Sequence, residues 1–263
     1  MDYKDIFSRN IGLLTEKEQE KLRKSRIAIA GLGGVGGVQA VALARTGIGM
    51  INIADPGEYS APDMNRQYGA TIYTLGKNKA DVMKKILKSI NPSVKIKKFY
   101  SLDKHLDDFL DADIVIEAIE YFSLKDKIDL YKSARKKGVY VLTSPIIGYG
   151  SSLLVFSPNG LSFEEFFGFS KKKTEKKDYF RYGERLCPIK PNYLKPDPYM
   201  PALRGERPLP SLCLSTFLSA SLIAKESLDI LLGKSPVIVP RCIQVDLHRR
   251  SYNIIDFSKN GRV

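Results

Sequence analysis

A glycine-rich turn between two apolar runs constrains this chain more than any other feature. A β-branched run at residues 26–30 enters the turn, and an alanine-rich helical pattern follows it before a second apolar run ends at Asp55. The turn contains four glycines: Gly31, Gly33, Gly34 and Gly36. This order predicts a strand, a turn, a helix and a strand. Bare amides at the positive end of a helix hold nucleotide phosphates, so the sequence predicts a nucleotide site without specifying the nucleotide.

Apolar strand-like runs alternate with helical patterns along most of the chain. Helices are expected directly after the glycine turn and at residues 15–25, 78–90, 102–110, 124–137 and 212–232. Strands are expected at the two ends of the unit from residue 26 to residue 55 and at residues 94–99, 112–119, 139–144, 151–156, 237–239 and 243–247. Alternation at this spacing predicts right-handed crossovers and a sheet covered on both faces. The expected fold class is α/β: a Rossmann-like, doubly wound, mainly parallel sheet with antiparallel additions.

The alternating pattern is lost between residues 163 and 210. This segment contains seven prolines together with many aromatic and charged residues. It predicts an irregular, basic crossover loop inserted in a single domain of residues 1–263. Loops of this length inside a compact domain are usually functional or disordered.

The net charge narrows the choice of partners. Lysine and arginine number 42 against 29 acidic residues, a formal charge of +13. This favours an anionic partner such as RNA, a nucleotide or an acidic protein, although a lysine-rich solvated surface would give the same count. The apolar run at residues 212–224 is shorter than the ~20 residues that span a bilayer, so no membrane partner is expected. The first residues lack a signal-peptide pattern and the three cysteines are scattered, which predicts a cytoplasmic protein.

Cationic residues after Asp55 help to identify the nucleotide. Arg66 lies eleven residues after Asp55, within Asn65-Arg66-Gln67, and Lys79 lies thirteen residues after Arg66 at a helix start. A triphosphate needs several cations, whereas a dehydrogenase has little need for them. The spacing of Asp55, at a strand end, suits hydrogen bonds to ribose hydroxyls.

The chain resembles the ThiF, MoeB and HesA superfamily, the bacterial relatives of ubiquitin-activating enzymes, from about residue 7 to residue 247. The pieces that match are Ser8-Arg9-Asn10, the glycine turn, Asp55, Asn65-Arg66-Gln67, Lys79-Ala80, Ile90-Asn91-Pro92 and Glu117-Ala-Ile-Glu120. The resemblance implies an adenylyltransferase that uses ATP and Mg²⁺. In that family a substrate carboxylate attacks the α-phosphate, which gives an acyl adenylate and pyrophosphate.

The resemblance also implies roles for single residues. The glycines Gly31, Gly33, Gly34 and Gly36 would receive phosphate oxygens, and Asp55 would hold the ribose. Asn65, Arg66, Gln67 and Lys79 would bind the triphosphate, with Arg66 and Lys79 catalytic. Arg9 would act across a homodimer on the neighbouring subunit's nucleotide. Glu120 stands where the family usually has the Mg²⁺-binding aspartate, so the metal geometry is expected to differ.

Two family features concern the cysteines. Many members hold zinc with two Cys-x-x-Cys pairs, and this chain has neither pair, so no zinc is expected. Some members form a thioester through a cysteine in the crossover loop, where Cys187 is the single cysteine here. Neighbouring cations would lower the pKa of its thiol, but a structural role is the preferred interpretation.

The acceptor of the adenylyl group stays open at this point. One hypothesis is the C-terminus of a ubiquitin-like or sulfur-carrier protein, and another is a small carboxylic acid. A third is a tRNA carrying threonylcarbamoyladenosine, as in the dehydratase branch that the segment around Gly49 resembles. A different class, an NAD(P)-dependent oxidoreductase, shares the glycine turn but does not explain Arg66 and Lys79.

Overall fold

The sheet is built outward from the strand that precedes the glycine turn. In the computed structural model, which describes residues 2–169 and 176–260, the strands are β1 (Arg26–Ala30), β2 (Met50–Ala54), β3 (Lys95–Phe99), β4 (Ile114–Glu117), β5 (Tyr140–Thr143), β6 (Ile146–Ile147), β7 (Gly150–Phe156), β8 (Arg241–Asp246) and β9 (Ser251–Asp256). The sheet order is β3-β2-β1-β4-β5-β7-β8-β9, and β6 pairs with β7. The first five strands in this order are parallel, and the pairs from β5–β7 onward are antiparallel. The predicted doubly wound, mainly parallel sheet is confirmed.

Helices cover both faces of this sheet. They are α1 (Tyr3–Phe7), α2 (Glu16–Lys24), α3 (Gly36–Arg45), α4 (Lys79–Ile90), α5 (Leu106–Phe109), α6 (Leu124–Lys136), α7 (Phe163–Phe167), α8 (Lys176–Leu186), α9 (Pro196–Leu203) and α10 (Cys213–Leu232). Side chains of β1 alternate between two cores because successive residues of a strand point to opposite faces. Ile27 and Ile29 join the core that contains Met83 of α4, whereas Ala28 and Ala30 join the core that contains Tyr131 of α6. No helix in the described ranges combines the length and apolar character needed to cross a bilayer.

The described residues of the segment predicted to be irregular include three helices, so the expectation of irregular structure does not hold for these residues. The helix α7 begins at a capping box in which Ser162 and Glu165 bond each other's main-chain amides, a local signal that the sequence already carries. The helix α9 is harder to see because it starts at a proline and contains Pro201. Residues 170–175 of this segment lie outside the described residues.

The C-terminal strands also differ from the prediction. Residues 237–239 are not a strand, and β8 instead pairs with β9, which the sequence prediction missed. The alternation of buried apolar and exposed polar residues is weak in β9. Tyr252 and Ile254, which pair with Val245 and Ile243 of β8, are apolar but exposed. The strand β8 matters for the site because the segment before α9 forms hydrogen bonds with its side chains.

Candidate active site

The glycines of the turn serve two different purposes. A Cβ on Gly31, whose φ is +95°, would lie 2.2 Å from the Ala118 carbonyl oxygen, and a Cβ on Gly36 would lie 1.9 Å from the Gly31 carbonyl oxygen. These two glycines therefore let β1, the turn after β4 and α3 approach one another. Cβ atoms on Gly33 and Gly34 would meet only the Gln67 and Arg66 side chains, at 3.8 and 3.5 Å. Their backbone is the part of the turn open to a ligand.

A cleft of about 1830 Å³ lies at the carboxyl ends of the parallel strands. Ligands of open α/β sheets bind at this edge, where the strand order reverses. The cleft is lined by these residues predicted from the sequence: Gly31, Gly33, Gly34, Asp55, Arg66, Gln67, Lys79, Glu120 and Cys187. Three other predicted residues, Arg9, Gly36 and Asn65, do not line it. Gly36 is buried at the start of α3, where it lies close to the Gly31 carbonyl.

Asp55 connects the end of β2 to the glycine turn. Its two carboxylate oxygens accept hydrogen bonds from the Leu32 and Gly57 amides, both at 2.7 Å. The residue is nearly buried but still lines the cleft. Each carboxylate oxygen keeps a further lone pair, so ribose hydroxyls can also bind here.

Arg66 lies over the glycine turn and is held there by oxygen acceptors. Its guanidinium donates to the Pro62 carbonyl at 2.8 Å and to the Asn65 side-chain oxygen at 2.9 Å, and lies 3.7 Å from the Asp63 carboxylate. Asn65 in turn donates to the Ser211 carbonyl at 3.0 Å, which connects this loop to the segment before α10. Asn65 therefore orients Arg66 from outside the cleft.

Gln67 and Asp63 form the buried floor beneath Arg66. The Gln67 amide nitrogen donates to Asp63, and its oxygen has no hydrogen-bond partner within the described residues. Burial raises the pKa of Asp63, but hydrogen bonds from Ser60 and the positive charges of Lys79 and Arg66 outweigh burial and hold that pKa below its usual value. Asp63 is therefore a carboxylate that pairs with Arg66.

Lys79 is the first residue of α4, whose N-terminus is capped by the side chain of Asn78. Its ammonium lies 5.7 Å from the centre of the Tyr59 ring, and it forms no ion pair within residues 2–169 and 176–260. The long stem passes Gly57, where a Cβ would lie 3.7 Å from Nζ. An ammonium in a cleft without a carboxylate partner is available to an anionic ligand.

A buried ion pair between Glu117 and Lys127 was missed by the sequence analysis. Both residues line the cleft, with side chains only 1% and 3% exposed. The Glu117 carboxylate also accepts from the Ile119 amide at 2.8 Å, and Lys127 donates to the Ile119 carbonyl at 2.7 Å. Lys127 falls on the buried stripe of α6, with Leu124, Tyr131 and Ala134, and this helical spacing was the available signal.

Glu120 lies in an exposed position at the edge of the cleft. Its carboxylate accepts a hydrogen bond from the Tyr121 amide at 2.9 Å. Among the described residues, no cluster of three or more His, Cys, Asp or Glu side chains is arranged to hold a metal. Mg²⁺ usually keeps several waters and binds one or two protein carboxylates plus substrate phosphates. Glu120 fits that limited role.

The environment of Cys187 is the opposite of the one expected for a nucleophile. Burial raises the pKa of its thiol to about 11, and this outweighs the hydrogen bond from Gln244 and the nearby charges of Arg249 and Lys190. The neighbouring cation Lys190 does lower this pKa, as expected, but burial makes the net shift upward. Next to Cys187, the Gln244 side chain forms two hydrogen bonds with the main chain of Ile189, at 2.8 and 2.9 Å.

The helix α8 covers the turn after β4 through two tyrosines. Tyr121 donates to the Tyr179 carbonyl at 2.6 Å, and Tyr179 donates to the Phe122 carbonyl at 3.0 Å. Tyr182 of the same helix is buried and lies 5.8 Å from the Lys127 ammonium. The crossover segment thus forms one wall of the cleft.

Arg9 is exposed in a short 3₁₀ helix at residues 8–10.

Comparison with known proteins identifies the family. Residues 7–262 match the ThiF family. The chain belongs to the ThiF family. The predicted resemblance is confirmed over nearly the whole of the chain.

Several relatives and solved structures resemble this ThiF family member. The tRNA threonylcarbamoyladenosine dehydratase of Bacillus subtilis is 35% identical over 143 residues, 52% of this chain and 55% of the relative. The sulfur carrier protein ThiS adenylyltransferase of Escherichia coli is 27% identical over 146 residues, 53% of this chain and 56% of the relative. The chain spans about half the length of the curated relatives it matches.

The solved structures show the likeness in fold. A crystal structure of Escherichia coli MccB with succinimide has a TM-score of 0.73 at 18% identity, covering 97% of this chain and 72% of the MccB chain. The structure of MccB with ATP has a TM-score of 0.71 at 17% identity, covering 95% and 70%. This ThiF family member therefore shares its architecture with MccB.

Proposed function

We propose that this protein is an ATP-dependent adenylyltransferase that activates an acceptor carboxylate. The observation that carries the proposal is the placement of Arg66 beside the open glycine Gly34, with Lys79 lining the same cleft and forming no ion pair in the described residues. Two cations around exposed backbone amides suit the phosphates of a nucleoside triphosphate. The family and the ATP complex of MccB support the choice of ATP.

The residues of the cleft would have different roles in binding ATP and in catalysis. The amides of Gly33 and Gly34 would receive phosphate oxygens at the N-terminus of α3, and Asp55 would accept hydrogen bonds from the ribose. Arg66 and Lys79 would bind the triphosphate and stabilise the charge that develops as an acceptor carboxylate oxygen attacks the α-phosphorus. The bond from that phosphorus to the β-phosphate oxygen breaks, and pyrophosphate leaves. Gln67 and Asn65 would hold Arg66 and the loop in place.

Mg²⁺ would be held mainly by the nucleotide and water. Glu120 would contribute one carboxylate at the edge of the cleft, and the ion would neutralise phosphate charge. Arg9 lies outside the cleft of its own chain, so it would contribute to the nucleotide of a second copy in a homodimer. We also place the enzyme in the cytoplasm, which supplies ATP and keeps its three free cysteines reduced.

Two kinds of acceptor fit the cleft chemistry. A protein C-terminus or a small carboxylic acid would follow the ThiS adenylyltransferase relative. A threonylcarbamoyladenosine in tRNA, which also carries a carboxylate, would follow the Bacillus subtilis relative and the charge of +13. The second candidate is favoured by the 35% identity with that dehydratase.

Calorimetry with ATP and with NAD, each in the presence of Mg²⁺, tests the nucleotide. We expect ATP to bind and NAD to give no heat, because Arg66 and Lys79 in the cleft suit a triphosphate, which NAD lacks. Binding of NAD without ATP would refute the proposal in favour of the NAD(P)-dependent oxidoreductase.

A further inference from the structure

The turn between β8 and β9 exposes two arginines next to a histidine. Residues 247–250 are all exposed, and the last three of them are His248, Arg249 and Arg250. Arg250 has a φ of +52°, a left-handed conformation that tight turns usually assign to glycine or asparagine. An arginine here costs stability relative to glycine, which has no Cβ, and to asparagine, whose short polar side chain can hydrogen-bond locally.

Aromatic rings stand beside this turn. His248 stacks on Tyr149, with ring centres 5.5 Å apart and an interplanar angle of 26°. Tyr193 packs against both, with centres 4.5 Å from His248 and 5.4 Å from Tyr149. Tyr149 is 37% exposed and His248 is exposed as well, so ring surface remains open to solvent. We call Tyr149, Tyr193 and His248 the aromatic platform.

Hydrogen bonds fix the platform before any ligand binds. The Tyr193 hydroxyl donates to the Asp246 carboxylate and accepts from the Tyr149 amide, both at 3.0 Å. The Leu247 amide donates to the Tyr149 carbonyl at 3.2 Å, which ties the β8–β9 turn to the same place. A preorganised surface loses little conformational entropy when it binds.

The platform borders the cleft. The Gly148 amide, next to Tyr149, donates to the hydroxyl of Tyr199, and Tyr199 lines the cleft. Lys190 and Lys195 also line the cleft on this side and are exposed, and Arg249 donates to the Lys190 carbonyl at 3.2 Å. Glu184 pairs with Lys190, so the surrounding charge is mainly but not wholly positive.

We propose that the aromatic platform, with Arg249 and Arg250, binds the unpaired bases and phosphates of an RNA loop. Splayed bases stack on aromatic side chains while cations contact the adjacent phosphates, and a continuous duplex offers no free base face. An acidic protein would use the arginines but leave the ring faces unused. A carboxylate carried by the bound RNA loop would then be the acceptor that enters the cleft. This last point rests on the proposed function.

Fluorescence anisotropy with a labelled RNA stem–loop and a fully paired RNA of the same length tests this surface without ATP. We expect tighter binding of the stem–loop. Tyr149→Ala and His248→Ala should each weaken it at least about fivefold, the loss expected for one stacked base. Arg250→Asn suits the left-handed backbone, so it should leave the fold intact while lowering the slope of log affinity against log salt by about one.

Matched variants separate the surface from general effects. Tyr73→Ala removes another exposed tyrosine and Lys17→Asn another exposed cation, and both should bind the stem–loop like the parent protein. Equal affinity for both RNAs, or parental stem–loop affinity in Tyr149→Ala and His248→Ala, would overturn the inference. ATP calorimetry on the same samples keeps the two claims apart. A parent protein that binds ATP but not the stem–loop refutes only the surface, and a parent protein that binds the stem–loop but not ATP refutes only adenylation.

Discussion

Lys127 and Glu117 form a buried ion pair beneath the cleft, and both side chains also bond the main chain of Ile119. Ile119 lies between Ala118, whose carbonyl contacts the glycine turn, and Glu120, the proposed Mg²⁺ ligand. The pair therefore fixes the turn after β4 from below. Tyr182 of α8 covers the same pair, so the crossover segment and this turn share one buried cluster.

Removing one partner of this pair should destabilise the protein strongly. Lys127→Met leaves the Glu117 carboxylate buried without its charge partner, which typically costs about 3–5 kcal/mol. The free energy of unfolding in urea measures the effect. Glu117→Gln combined with Lys127→Met should recover much of the loss because no buried charge remains.

Lys125→Met provides the control on the same helix. Lys125 forms an exposed pair with Asp129, and such pairs contribute about 0–1 kcal/mol. Equal losses in Lys125→Met and Lys127→Met would contradict the assigned role of the buried pair.

The two kinds of glycine in the turn should respond differently to alanine. Gly36→Ala places a Cβ against the Gly31 carbonyl, so we expect a loss of roughly 1–3 kcal/mol or more in unfolding free energy. Gly33→Ala has room for its methyl group and should unfold like the parent protein, yet bind ATP more weakly because the methyl group occupies the phosphate position. Thermal unfolding measures the stability of the two variants, and calorimetry measures their affinity for ATP. An unchanged ATP affinity in Gly33→Ala would show that the phosphates do not bind at this turn.

The cation pair should be needed for turnover and not for folding. Arg66→Ala and Lys79→Ala remove groups that would stabilise transition-state charge, so each should slow ATP-dependent pyrophosphate exchange by about 100-fold or more. Circular dichroism should show an unchanged fold. Lys77→Ala, on a neighbouring exposed lysine outside the cleft lining, is the control. Full activity in both cleft variants would refute the assignment of these cations.

Cys187 should behave as a protected thiol. Its pKa of about 11 leaves only about one thiol in a thousand ionised at pH 8, and burial blocks access. Iodoacetamide should therefore modify the half-buried Cys213 first, as followed by mass spectrometry, and modification of Cys187 should accelerate as the pH rises towards that pKa.

Exchange activity in Cys187→Ser complements the labelling. Since Cys187 has no proposed part in adenylation, the variant should retain parental activity. Preferential labelling of Cys187 at pH 8 would restore it as a candidate nucleophile.

The sequence predicted the parts of the fold that repeat a simple period. The strand, glycine turn, helix and strand predicted between Arg26 and Asp55 follow from apolar runs and bare glycines, and the structure has these elements in that order. The helix α9 could not be predicted because its prolines hide a helix that the surrounding contacts stabilise. The strand β9 was missed because Tyr252 and Ile254 face solvent on a terminal strand.

The candidate site shows the same division. Asp55, Arg66 and Lys79 could be predicted because their residue types and order are unusual for a structural segment. The pairing of Lys127 with Glu117 could not, since charged residues on a helix are normally exposed and only the fold places this lysine inward. Burial likewise reversed the expected pKa shift of Cys187, because sequence neighbours do not reveal how much water reaches a thiol.

Pyrophosphate exchange into ATP tests the central claim most directly. The protein is incubated with Mg²⁺, ATP and labelled pyrophosphate, and a tRNA preparation, candidate carrier proteins and small acids are added separately. We predict exchange that depends on one class of acceptor and is lost in Arg66→Ala. ATP binding without exchange under any of these acceptors, together with NAD binding, would contradict the account.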